Sequence, residues 1–449
     1  MSKPSGAIDM TRGKPINLML RFALPMMIGS IFQSLYSMVD SAVLGRFVGS
    51  HALAAIGATT STTGLILLLA TGVTSAISIV LSQYVGANDT DRVRKGIVAS
   101  GWITLLLGVV LGLISVFAAR PLMQLLKTPE DVIDMSVLYI QIVCGCGIAQ
   151  FAYNAAASIL RALGDSKTPL YFLVFSSVLN IILDIVFIVP MHMGVAGAAW
   201  ATILSQFLSA VFSTVVGLRN FPILHLRRED FHDLKGAAVL HLKTGFPMGF
   251  QMSVMCIGQL AMQAVVNSLG TAAVAGYTAA SKADQLSVLV NNAMMTAISN
   301  YVAQNFGAGK KDRIRLGVRA SLIQTEAFNI LMCIGILLLR HPIVELFLSN
   351  PIAEIYHYSD VFLTIEAPFY FLLGLLAVYR TSIQSMQNGR APFAACMIEL
   401  VMRLAATVWL SRFLGYTAVC IASPLAWFGA VALLIPVYYR MMMKPVKTV

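Results

Sequence analysis

The sequence is poor in charge. Only 11% of its 449 residues are Asp, Glu, Lys or Arg, while 58% are hydrophobic. A soluble domain carries roughly 25% charge. This chain could not cover a water-facing surface of its size, so the remaining solvent is lipid. The mean hydropathy of +0.79 agrees. Acid is scarcer than base, with 20 Asp and Glu against 31 Lys and Arg. The basic excess sits in short loops between apolar runs and makes no continuous patch. It therefore speaks for membrane orientation and against nucleic acid as a partner. The spacings of catalysis are also missing. None of the seven histidines falls in an HExxH run, and Gly164-Asp-Ser-Lys-Thr168 lacks the Gly-Lys pair and upstream glycine of a phosphate loop. A membrane enzyme or ATP-driven pump is disfavoured, and no cofactor is expected. Cys144, Cys146, Cys256, Cys333, Cys396 and Cys420 lie inside apolar runs without CxxC or Cys/His metal spacing. They read as small buried apolar residues. No cleaved signal peptide is expected: residues 1–15 are polar, and the run after them is too long and has no cleavage motif.

What is present is length of apolar chain. A helix needs about 20 apolar residues to cross the hydrocarbon core. Runs near 16–45, 52–82, 96–119, 133–160, 168–190 and 194–217 meet that need, as do runs near 237–268, 272–303, 316–339, 355–386, 391–413 and 416–439. A charged break containing Arg219, Arg227, Arg228, Glu229, Asp230, Asp233 and Lys235 separates the two sets. The runs are continuously apolar and not ten-residue alternations, so they predict helices, not a barrel. The expected fold is all-α and polytopic, with about twelve transmembrane helices in two lobes, 1–222 and 223–449, and a central cleft.

Basic residues set the orientation. With the N-terminus inside, alternate segments place 21 Lys and Arg on the cytoplasmic side and five outside, namely Arg46, Arg120, Lys127, Arg340 and Arg412. The positive-inside rule then puts both termini in the cytoplasm of a multi-pass inner-membrane protein.

The halves repeat. Gln83-Tyr-Val-Gly86-Ala reads like Gln304-Asn-Phe-Gly307-Ala, and Arg92-x-Arg94-x-Gly96 like Arg313-x-Arg315-x-Gly317, both at an offset of 221. Pro25 matches Pro247 at 222. Six helices per half is an even number, so the repeat is parallel, about an axis along the membrane normal. Two such halves could alternate access by rocking.

Ionisable residues in hydrocarbon are costly and mark function by default. Asp40, Asp184 and Thr202 fall on three different runs at a similar depth below the outer surface. Asn180 and Asp184 are four apart and share a helix face, with Ser176 one turn below; Thr202 and Gln206 are spaced likewise. Asp40, Asn180, Asp184 and Thr202 could form an oxygen-rich cluster. Such a cluster suits a proton shared between carboxylates or Na⁺, a hard cation. On the first run Met26, Gln33, Tyr36 and Asp40 share one side. In the second half Glu399 and Arg403 are four apart and are expected to pair. Glu366, Asp284 and Arg403 are further candidates for coupling or substrate contact. Pro25 and Pro247 would bend their helices. The 23 methionines include Met26, Met27, Met248, Met252 and Met255; they read as packing or as a deformable apolar surface.

Several stretches together resemble the multidrug and toxic compound extrusion (MATE) transporters. Leu24-Pro25…Asp40-Ser-Ala-Val-Leu-Gly45-Arg46 resembles their first helix. Arg161-Ala-Leu-Gly164-Asp-Ser-Lys-Thr-Pro169 with Asn180-x-x-x-Asp184 resembles the helix 4–5 region, and Gly194-Val-Ala-Gly197-Ala-Ala-Trp-Ala-Thr202 helix 6. The likeness spans nearly the whole chain and favours the branch of the DNA-damage-inducible F type. It implies a monomeric antiporter of drug-like, often cationic, small molecules, driven by H⁺ or Na⁺, with membrane lipid as its surroundings. It also implies coupling at Asp40, Asn180, Asp184 and Thr202, and a cavity near Gln33, Tyr36 and Asn154, to which Met26 on the same side of the first run is added. The other large branch uses acids in helices 7 and 10; 237–268 holds no Asp or Glu, though Glu366 remains. The alternative function is flipping of a lipid-linked precursor, as in other members of the superfamily. That would require a basic cavity, and Lys243, Lys282, Arg319 and Arg403 are scattered.

Overall fold

The apolar runs fold as helices. The computed structural model describes residues 7–48, 50–125, 128–347 and 352–444; within its helices the side chains at 35–42, 44–46, 50–54, 60, 61, 65, 286, 346 and 347 lie outside that description. In the first half, α1 is Pro15–Phe47, α2 Ser50–Gly86, α3 Thr90–Leu125, α4 Glu130–Gly145, α5 Ile148–Ala162, α6 Lys167–Ile188 and α7 Gly194–Asn220. In the second half, α8 is Lys235–Ser268, α9 Thr271–Gly307, α10 Lys311–Phe347, α11 Ala353–Glu366, α12 Tyr370–Ser385, α13 Arg390–Leu404, α14 Ser411–Leu414 and α15 Tyr416–Met443. A π-helical stretch, Ala405–Leu410, joins α13 to α14. The fourth and tenth runs are each broken once, at Cys146–Gly147 and at Ala367–Phe369.

Eleven spans among the described residues are long and apolar enough to cross a membrane, counting α4–α5, α11–α12 and α13–α14 as one each. The twelfth crossing is α9. Its 37 residues are long enough, but it carries Ser287, Asn291, Asn300, Gln304 and Asn305. All five are buried, so these polar side chains meet protein, not lipid. Asn291 donates to the Asn329 carboxamide on α10 at 3.0 Å.

The repeat survives in the element bounds. α5 and α12 begin at Ile148 and Tyr370, and α7 and α15 at Gly194 and Tyr416, both 222 apart. Gly96 of α3 packs against Leu81 and Tyr84; Gly317, its counterpart in α10, packs against the ring of Tyr301.

Polarity is arranged inside out. On α3, Gly96, Ser100, Thr104, Gly108, Gly112 and Ser115 are buried, while Leu106, Leu113 and Phe117 are exposed. Lipid solvates the large apolar side chains, and the small residues let backbones approach.

The chain divides into two compact units. One holds Leu24–Phe250 with the described residues up to Asp9; the other holds Gln251–Thr448 with Met10–Ala23. The divisions fall inside α1 and α8, beside Pro25 and Pro247, which lie within these helices. In the first unit the start of α8 packs on α2 so closely that a Cβ on Gly72 would stand 2.5 Å from the Gly249 Cα. Its core joins Ile77, Val80 and Leu81 of α2 to Ile97 of α3 and Leu160 of α5. In the second unit the Asn305 carboxamide donates to the Met10 carbonyl at 2.9 Å, and Gln324 to the Ile16 carbonyl at 2.9 Å.

Candidate functional site

The buried face of α6 is its polar face. Ser176, Ser177, Asn180 and Asp184 point into the first unit, while Tyr171, Phe175, Val178, Ile182 and Ile185 are exposed. α7 presents small residues to α6, among them Ala198, Ala201, Ser205 and Ser209. The Ser209 hydroxyl donates to the Phe172 carbonyl at 3.3 Å. This close packing brings Asn180, Asp184 and Thr202 together. Asp184 is wholly buried and Asn180 is 1% exposed. The Asn180 amide donates to an Asp184 carboxylate oxygen at 3.0 Å and accepts from the Thr202 backbone N–H at 3.1 Å. The Thr202 hydroxyl itself donates to the Ala198 carbonyl at 3.0 Å. The side chains of Tyr36 and Asp40 lie outside the described residues; their backbone belongs to α1.

One turn further along α7, Gln206 lines a cavity of about 160 Å³ in the same unit. Pro25, Met26 and Gln33 of α1 and Asn154 of α5 also line it, together with Ser30, Gln150, Tyr153 and Arg161. Of the four residues expected at a substrate cavity, Met26, Gln33 and Asn154 thus converge. Tyr153 is anchored by donating from its hydroxyl to the Pro169 carbonyl at 3.0 Å. Sequence reasoning counted Arg161 among the cytoplasmic charges and within the helix 4–5 motif, not at the cavity. It sits in the last turn of α5, and its side chain turns inward to the cavity.

The second unit holds its own polar interior. Glu399 pairs with Arg380 of α12, not with Arg403 as the four-residue spacing predicted. Helical spacing permits the i,i+4 contact, but α12 offers Glu399 a buried guanidinium across the helix pair. Arg403 stands instead within electrostatic reach of Glu366 and Asp284. Its stem passes Gly258 of α8, where a Cβ would lie 3.0 Å from the Arg403 Cδ. Glu366 is 3% exposed and Arg403 7%.

The family model described as MatE matches residues 25–186 and 247–409. The probable multidrug resistance protein YpnP of Bacillus subtilis is 31% identical over 427 residues, covering 94% of this chain and 91% of the relative. YoeA of the same organism, also named a probable multidrug resistance protein, is 30% identical and covers 73% of each chain. An outward-facing multidrug resistance MATE transporter of the MOP superfamily superposes with a TM-score of 0.90 at 22% identity, over 98% of this chain and 99% of that one. That likeness is one of fold. The two matched stretches occupy well over half of the sequence, one in each half of the repeat, and the chain belongs to the MatE family of multidrug and toxic compound extrusion transporters.

Proposed function

We propose that the chain exports small organic compounds across the bacterial cytoplasmic membrane in exchange for H⁺ or Na⁺, acting as a monomer. The observation that carries this reading is the buried Asp184 with its Asn180 amide, one helical turn on α7 from a cavity rich in side-chain amides. A carboxylate in hydrocarbon is costly unless its charge is balanced, so the site gains from taking up a cation. The names of the two Bacillus subtilis relatives support drug-like cargo.

The Asn180 amide supplies the chemistry of exchange. With Asp184 ionised, Asn180 turns its NH₂ to the carboxylate. With Asp184 protonated, the carboxyl becomes a donor, and the charge that the Asn180 NH₂ serves is gone. Proton uptake is thereby written into the α6–α7 contact. Asp40 of α1 is the second acid proposed for coupling, and Glu366 with Arg403 forms a secondary polar centre. Relative motion of the two halves then exchanges access between the faces of the membrane.

The test is transport by the purified chain in proteoliposomes, with a pH gradient or a Na⁺ gradient imposed separately. Dye export under either gradient supports the reading and names the ion. No export under both would reject it.

A further inference from the structure

We infer that the inner end of the α1–α5–α6 cavity is an anion subsite, in which Arg161 receives a carboxylate carried by the substrate. The inference rests on the efflux reading and names the substrate chemistry of that cavity.

Three observations carry it. First, among the described residues Arg161 is the one charged residue in the cavity lining; the polar remainder, Gln33, Gln150, Asn154 and Gln206 among them, is neutral. A cavity built to hold a bare organic cation would be expected to offer an acid, and none appears among the described lining residues. Second, no carboxylate among the described residues neutralises the guanidinium. Its five N–H donors make one side-chain hydrogen bond, from Nη2 to the Ser158 hydroxyl at 3.0 Å, and that partner is uncharged. Its Nε is shielded from solvent with no acceptor. An interior cation without a counter-charge is unfavourable unless a ligand supplies one. Third, the nearest acid in sequence is already committed. Asp165 accepts from the Lys167 and Thr168 backbone N–H groups at 2.9 and 3.0 Å and from the Thr168 hydroxyl. It caps the start of α6, not Arg161.

The planar fork of Arg suits a carboxylate bidentately. Tyr153 and the apolar faces of Met26, Leu170 and Leu173 line the rest of the space and suit an aromatic body. The substrate class is an amphoteric aromatic acid whose carboxylate faces the end of α5.

A matched pair of dyes tests this: rhodamine B, which carries a free carboxylate, and its ethyl ester, which does not. Binding to the full chain in detergent is read by fluorescence anisotropy, and export in proteoliposomes by the same emission. The acid should bind at least about tenfold tighter than the ester, the size of a charge-assisted hydrogen bond. In Arg161→Gln that ratio should fall to about one through weaker binding of the acid alone, and Arg161→Lys should keep part of it. The wild-type comparison decides the matter even if a variant is unstable. An ester bound as tightly as the acid would overturn the subsite while leaving efflux standing. If neither dye is bound or moved, the efflux reading falls and takes the subsite with it.

Discussion

Asn180 and Asp184 stand one turn apart on α6 and share a hydrogen bond of 3.0 Å in a place closed to solvent. The spacing alone permits that contact; the packing of α7 against α6 enforces it, because the Thr202 N–H holds the other end of the amide. The same pair sets the first expectation. Asp184→Asn keeps the shape and removes the ionisable group, so gradient-driven dye export in proteoliposomes should fall by about tenfold or more. The amount of folded protein in gel filtration should not change. Unaltered export by this variant would dismiss Asp184 as the coupling acid.

Asn180 gives a second expectation of different form. Asn180→Leu leaves Asp184 without its amide donor, at a cost of about 1–3 kcal/mol for the buried acceptor. Asn180→Asp would instead place two carboxylates in one site and bind protons together. Export against pH should therefore shift to higher pH in Asn180→Asp relative to the wild type. Coincident pH profiles for the two proteins would refute the part assigned to this amide.

The Arg380–Glu399 pair is buried, with side chains 10% and 5% exposed. Glu399→Ala strands a guanidinium inside unit two and should cost about 3–5 kcal/mol. The double variant Arg380→Met with Glu399→Leu removes both charges and should recover most of the loss. Thermal unfolding in detergent compares them. Equal destabilisation in single and double variants would mean that cavity formation, not charge, governs the site.

Gly96 and Gly317 occupy matching places in the repeat but face different neighbours. A methyl group at Gly96 meets the end of the Leu81 side chain at 2.7 Å, whereas at Gly317 it enters the ring of Tyr301. That ring is fully buried and fixed by its hydroxyl donating to the Arg313 carbonyl at 3.0 Å. Overpacking costs about 1–3 kcal/mol, so Gly317→Ala should approach the upper figure and Gly96→Ala the lower. Melting temperatures of the two variants check the order.

The sequence by itself determined the solvent, the helices and the repeat. Little charge and long apolar runs leave no other fold class, and a fixed offset relates the halves whatever their packing. It also marked Asn180 and Asp184, because acids in hydrocarbon are rare enough to stand out. It could not settle partners across helices. Glu399 has Arg403 one turn away on its own helix, yet Arg380 takes it. Hydropathy likewise understates α9, whose Asn291, Asn300 and Asn305 are buried within the fold. Only the tertiary structure turned Arg161 from a cytoplasmic charge into a cavity wall, since the direction of a long side chain depends on the space its neighbours leave. Periodicity fixes which residues share a face; which face meets which is decided by packing alone.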